Sequence, residues 1–147
     1  MANDLELVRR IVAEDHGLAV VSVARRNGTI HSSVVNAGVL DDDRFGGPTV
    51  GFVTYGGAKK LDWLRAGQPI SVTIRAGWQW VSVEGPVDIA GPDDTQIVAA
   101  ADIPELLRAV FRSAGGTHDD WDEYDRVMVE QRRTAVLVHP QRILSPG

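Results

Sequence analysis

The sequence predicts a mainly β fold with helices (α+β), closed into an antiparallel barrel rather than laid out as a parallel α/β sheet. Two observations carry this. Short runs rich in β-branched residues follow one another closely, with turn signals between them. The order of patterns is helix, two strands in a hairpin, strand, helix, two strands, helices, strand. The chain has 147 residues, enough for one core, and shows no repeat or linker, so one domain over 1–147 is expected.

The elements follow in order. Residues 3–15 form a helix with Leu5, Val8, Ile11 and Val12 on one face, and Gly17 sits where a C-terminal cap belongs. The apolar run from Leu18 to Ala24 is a strand. Asn27-Gly28 is a strong hairpin signal and returns the chain into a second strand over 29–40. Asp41 to Pro48 reads as an exposed turn. A third strand, 49–55, leads through Gly56-Gly57 into a short helix over 58–66. Pro69 opens a fourth strand ending near Gly77, and a fifth runs over 78–89. Pro92 to Thr95 begins a helical region with a break at Ala114-Gly115-Gly116, and another helix covers 121–132. A strand over 134–138 closes the chain and resumes past Pro140 to Leu144.

Composition narrows the function. The formal net charge is −5, which argues against a nucleic-acid partner. There is no cysteine, so disulfides, thiolate metal sites and cysteine nucleophiles are excluded. No signal-like apolar run opens the chain, and no segment is apolar for long enough to span a bilayer, so a soluble cytoplasmic protein is expected. His16, His31, His118 and His139 are scattered, with no metal-binding spacing. Asp41-Asp42-Asp43 lacks the spacing of a calcium loop, and Ser32-Ser33 lies in no nucleophile elbow.

Two stretches invite chemistry. Gly56-Gly57-Ala58-Lys59-Lys60 joins a strand to a helix and holds the only two lysines among 15 basic residues. Glycines allow close backbone approach, N–H groups at a helix start attract anions, and a lysine adds the usual charge for a phosphate. Thr54 adds a hydroxyl at the strand end. The plainer reading is a turn with two solvated lysines. In the segment from Trp78 to Gly85, alternation puts Trp78, Trp80, Ser82 and Glu84 on one face and Gln79, Val81 and Val83 on the core side. Two tryptophans on the outward face suit a ligand wall or an interface, or a face covered by the chain's own helix. The acids between His118 and Tyr124 suit a helix start.

In their order and spacing, these segments resemble the pyridoxamine-phosphate-oxidase-like split β-barrel family, and within it the actinobacterial branch that uses the deazaflavin coenzyme F420. The matching stretches are Asn27-Gly28 through Ser33, Lys60-Leu-Asp-Trp-Leu-Arg65 to Pro69, Gly77-Trp78-Gln79-Trp80 through Gly85, His118 to Tyr124, and the strand after Gln131-Arg132-Arg133. The resemblance implies an FMN-binding-like split barrel that forms a homodimer, with the cofactor in a groove between subunits. It implies that Lys60 holds the phosphate, assisted by Thr54, Tyr55, Gly57 and Lys59. It also implies that Ser33, Val34, Val35 and Asn36 flank the ring, while Trp78 and Trp80 join the cofactor site or the interface. Relatives often carry an arginine two residues before the lysine, where this chain has Ala58. The implied activity is hydride transfer from reduced F420 to an unsaturated or electron-poor small molecule. Alternatives on the same fold are an FMN-dependent oxidase or reductase, or a non-catalytic protein that binds a flavin, haem or other tetrapyrrole.

Overall fold

The computed structural model describes residues 2–146, with side chains from residue 5 onward. Helix α1 (Ala2–Glu14) leads into β1 (Leu18–Ala24) and β2 (Ile30–Asp42). Strand β3 (Gly47–Thr54), helix α2 (Lys59–Arg65), and strands β4 (Ile70–Ala76), β5 (Gln79–Glu84) and β6 (Val87–Ala90) follow. Helices α3 (Ile103–Ser113) and α4 (Trp121–Glu130) precede β7 (Thr134–Val138) and β8 (Arg142–Leu144). All pairings are antiparallel, in the order β6-β7-β3-β2-β1-β4-β5-β8. None of the described helices is long and apolar enough to cross a membrane.

The sheet curls, and its ends meet. β5 continues into β6 through Gly85-Pro86, and β7 into β8 through His139 to Gln141. The His139 amide donates to the Pro86 carbonyl at 2.8 Å and the Gln141 amide to Glu84 at 3.0 Å, tying the two connections together. A Cβ on Gly85 would sit 1.8 Å from the His139 carbonyl oxygen, so this close crossing requires glycine. The expected fifth strand over 78–89 is therefore two strands, because Pro86 lacks an amide donor and the chain bends there.

The inside of the curl holds one apolar core. Ala19, Val21 and Val23 of β1 meet Val72 and Ile74 of β4, Val81 and Val83 of β5, and Phe52 of β3 there. Val8, Ile11 and Val12 of α1, and Leu61 and Leu64 of α2, pack into that core as the α1 periodicity predicts. The outer face is treated in two ways. Over β2's second half, β3, β6 and β7, Leu40, Ala90, Ala135 and Leu137 lie buried under Leu106, Leu107 and Val110 of α3 and Tyr124 of α4. Gly38 permits this, because a Cβ there would lie 2.2 Å from the Ser113 carbonyl oxygen. Over β1, β4 and β5 no described element covers the sheet. The register aligns Val20 with Val34 and Thr73, and Ser22 with Ser32 and Ser71, on this bare face. Ile30 (59%) and Val34 (64%) stand exposed among hydrogen-bonded serines.

Smaller departures have local causes. The β1–β2 turn has Gly28 at φ 88°, while Asn27 keeps a negative φ. With Gly28 N–H donating to Arg25, this is a three-residue turn rather than a two-residue one. The turn after β2 buries Phe45 in the outer core, so it is only partly exposed. The helical region expected from Pro92 starts at Ile103, after a short 3-10 turn (Ala100–Asp102).

Candidate functional site

The site forms where the sheet splits. β2 pairs with β1 over residues 30–36 and changes partner at Ala37, which faces Phe52 of β3. Beyond that point β3 follows β7 instead, with Thr54 opposite Thr134. The first half of β2 thus has a free edge, and α2 approaches it. The Lys60 ammonium donates to Ser33 Oγ at 2.9 Å across this gap. His31, two positions along on the same face, stacks on Trp63 of α2 with ring centroids 5.3 Å apart.

Lys60 is buried, with 6% of its surface exposed, and among the described residues no carboxylate lies within ion-pair distance of it. Burial, and then the positive charge of Arg133, push its pKa below the usual lysine range. Arg133 lies over the Tyr55 ring, 5.8 Å from its centroid, and donates from Nε to Gln131 Oε1. It too has no ion-pair partner among the described residues, whereas Arg65, Arg108 and Arg132 are matched to Asp94, Asp125 and Asp93. Two cations within Coulombic reach of each other, one desolvated and neither in an ion pair among the described residues, form an arrangement that an anion completes.

Gly56 sets this geometry. Its amide donates to the Gln131 carbonyl at 3.1 Å, and a Cβ would lie 2.4 Å from the Arg132 carbonyl oxygen. Any larger residue would push the β3–α2 loop away from the start of β7, separating Lys60 from Arg133.

The residues expected at a site are only partly brought together. Lys60 and Ser33 meet at the split, with Val35 partly buried in the inner core, while Thr54 ends β3 opposite Thr134 and Tyr55 follows it under Arg133. Gly57 is exposed in the adjoining loop and Lys59 at the first position of α2, and among the described residues Lys59 makes no side-chain hydrogen bond or ion pair. Val34 points to the bare face, and Asn36, on the same side, donates to the His16 carbonyl at 2.8 Å. Trp78 is not in a strand. It tips the β4–β5 turn, 98% exposed, while Trp80 stands on the bare face opposite Arg75. Ser33 aligns with Val21 and Val72, two strands over, and Trp78 lies six residues beyond Val72. Strand spacing then puts Trp78 roughly 20 Å from Ser33 within one chain. Arg133 is a site residue that the sequence reading missed, and Gly56, read there as a loop glycine, packs against Gln131 and Arg132. Arg133 lies 73 positions from Lys60, and no local spacing links them.

The four histidines have structural surroundings. His118 Nδ1 accepts from the Asp120 amide, and Asp120 in turn caps α4 through the Glu123 amide, as the acid-rich helix start suggested. His139 Nε2 lies 2.6 Å from Asp88. No group of three metal-ligating side chains occurs among the described residues.

No family model matches the chain. Solved structures share its fold at low identity. The Agrobacterium tumefaciens protein Atu2129 aligns with a TM-score of 0.66 and 13% identity over 100% of this chain, which spans 57% of that longer protein. A candidate pyridoxamine 5'-phosphate oxidase from Listeria innocua aligns at 0.57, with 12% identity over 96% of both chains. A protein described as F420 reductase aligns at 0.58, with 13% identity over 90% of this chain and 93% of its own. The fold is thus one found among oxidase- and reductase-type proteins.

Proposed function

We propose that this protein is an F420-dependent reductase. It would hold the cofactor's phosphate at Lys60 and Ser33 beside Arg133, and pass a hydride to an unsaturated or electron-poor small molecule. The observation that carries this reading is the buried, unneutralised Lys60 next to Arg133. A lysine kept from water without an acid is costly unless an anion joins it, so the residues present fit a phosphorylated group. The second cation comes from the residue just before β7 and stands in for the arginine that position 58 lacks.

A bound deazaflavin supplies hydride chemistry at its ring, and the chain's own work is to bind, orient and exclude water. Lys60 and Arg133 fix the phosphate. The free edge of β2 from Ser33 to Val35 offers backbone groups and small side chains along which a flat ring can lie. Such positioning is worth up to about 7–11 kcal/mol of a barrier, which explains the absence of an obvious acid–base pair.

The bare outer face suggests how the groove is completed. Leu18, Val20, Ile30, Val34 and Leu144 are exposed on one side of the sheet, and a patch of that kind marks an interface. A second copy laid on it would form a homodimer with the groove at its edge. FMN on the same fold is the alternative. Titrating F420, FMN and FAD into the protein distinguishes the two. Micromolar or tighter F420 binding with weak flavin binding supports the proposal, preferential FMN binding moves the protein to the oxidase type, and no binding refutes both.

A further inference from the structure

Residues 92–124 and α4 take no part in holding Lys60, yet they enclose space on the outer face of the sheet, against Arg133. A cavity of about 230 Å³ lies between the outer face at the split and α3 and α4, walled by Asn36, Val53, Phe111, Tyr124, Met128 and Arg133. A second, of about 250 Å³, lies among Pro92, Ile103, Leu107 and Val129 and shares two walls with the first, Met128 and Arg133. The pair is therefore interrupted by one flexible thioether and one guanidinium.

Chemistry singles out the first cavity. The Phe111 and Tyr124 rings lie 5.0 Å apart by centroid, tilted at 35°, giving an aromatic pair on one side of the cavity. Tyr124 brings no free polar group, because its hydroxyl donates to the Leu107 carbonyl and burial raises its pKa to about 12. Two polar groups remain. Asn36 has given one amide hydrogen to His16, leaving its oxygen and a second hydrogen. Arg133 has given only Nε, to Gln131, leaving both terminal nitrogens. The charges nearby are already matched: Asp125 holds Arg108 at 2.6 Å, and Asp93 holds Arg132. An apolar slot with one unmatched cation and one amide at its rim has the composition of a small-molecule site.

We infer that this cavity binds a small, flat, apolar acid, its ring beside Phe111 and Tyr124 and its carboxylate on Asn36 and on one terminal nitrogen of Arg133, the other terminal nitrogen being the one left to the phosphate. Met128 is the movable wall through which a longer tail reaches the second cavity, since an unbranched thioether re-packs easily. The inference builds on the reductase reading by giving the hydride acceptor a chemical class. It also gives the late helices a role, as the roof of the acceptor pocket.

The test is titration of trans-cinnamate into the full chain, followed by backbone amide chemical shifts. Saturable shifts are expected at Asn36, Val53, Phe111 and Met128. Met128→Trp, which fills the cavity, and Arg133→Gln should each weaken binding at least tenfold. Cinnamyl alcohol, with the same ring and no charge, should bind at least tenfold more weakly than cinnamate to the unmodified protein, and equally to Arg133→Gln. Phe111→Leu removes the ring at similar bulk and serves if the tryptophan variant does not fold; it too should weaken binding. Shifts that map elsewhere, no saturation up to the solubility limit, or affinity untouched by the cavity substitutions would overturn the inference. F420 titrated separately keeps the two readings apart. Cinnamate bound in the cavity without F420 binding sinks only the cofactor, and F420 bound without cinnamate sinks only the pocket.

Discussion

At the scale of single residues, the candidate site rests on a lysine that the folded chain holds at a cost. Lys60 has its pKa lowered by burial and by Arg133, so its charged form is less favourable folded than unfolded. The sign follows: below the lowered pKa the penalty is fully present, and stability rises as pH climbs from that value toward 10.5, where the unfolded lysine also deprotonates. Two outcomes are expected. Lys60→Met should make the ligand-free protein more stable by about 1 kcal/mol, roughly 3 °C in Tm, although it removes the bond to Ser33. Thermal melts between pH 7 and pH 10 should show the original protein gaining on the variant as pH rises. A variant that is less stable at every pH would mean that Lys60 is a structural residue. Lys60 was legible in the sequence because a lysine pair beside two glycines is unusual in so arginine-rich a chain. Its neighbour Arg133 was not, since only the fold brings β7 against the β3–α2 loop.

At the scale of elements, the decisive feature is the change of partner along β2. Its first half lies beside β1 and its second beside β3, and the free edge between them receives Lys60. Gly56 keeps the β3–α2 loop against β7, so Gly56→Val should leave the sheet folded but move Lys60 from Arg133. Titration with F420 should then show at least a tenfold loss of affinity; unchanged binding would mean that the two cations do not act together. Most of these elements could be read locally, because β-branched runs, the Asn27-Gly28 turn and the acidic start of α4 are short-range signals. The break of the predicted fifth strand at Gly85-Pro86 could not. Alternation continues across it, and the reason for the break, a close crossing with His139, lies more than 50 positions away. The late start of α3 has a local cause instead, since Gly91 and Asp94 exchange backbone hydrogen bonds in a tight turn before any helix begins.

At the scale of the whole molecule, one continuous sheet has an outer face that its own helices cover on one half only. Ile30 and Val34 are more than half exposed, and Val20 lies directly across from Val34. If a second copy covers them, Val34→Asp should convert a dimer into a monomer by sedimentation and weaken cofactor binding with it, because the groove lies at the edge of that face. A monomeric original protein, or a dimer indifferent to the charge, would remove the interface from the account. The sequence placed Trp80 correctly on the outward face, but two-residue periodicity could not show that α3 and α4 would leave that half uncovered. The central claim, a phosphorylated flavin-type cofactor held by Lys60, is tested most directly by calorimetric titration of F420 into the protein and into Lys60→Met. The account predicts micromolar or tighter binding to the first, and at least tenfold weaker binding, about 1.4 kcal/mol, to a variant that is folded and no less stable. Equal affinity for both, or none for the original protein, would contradict it.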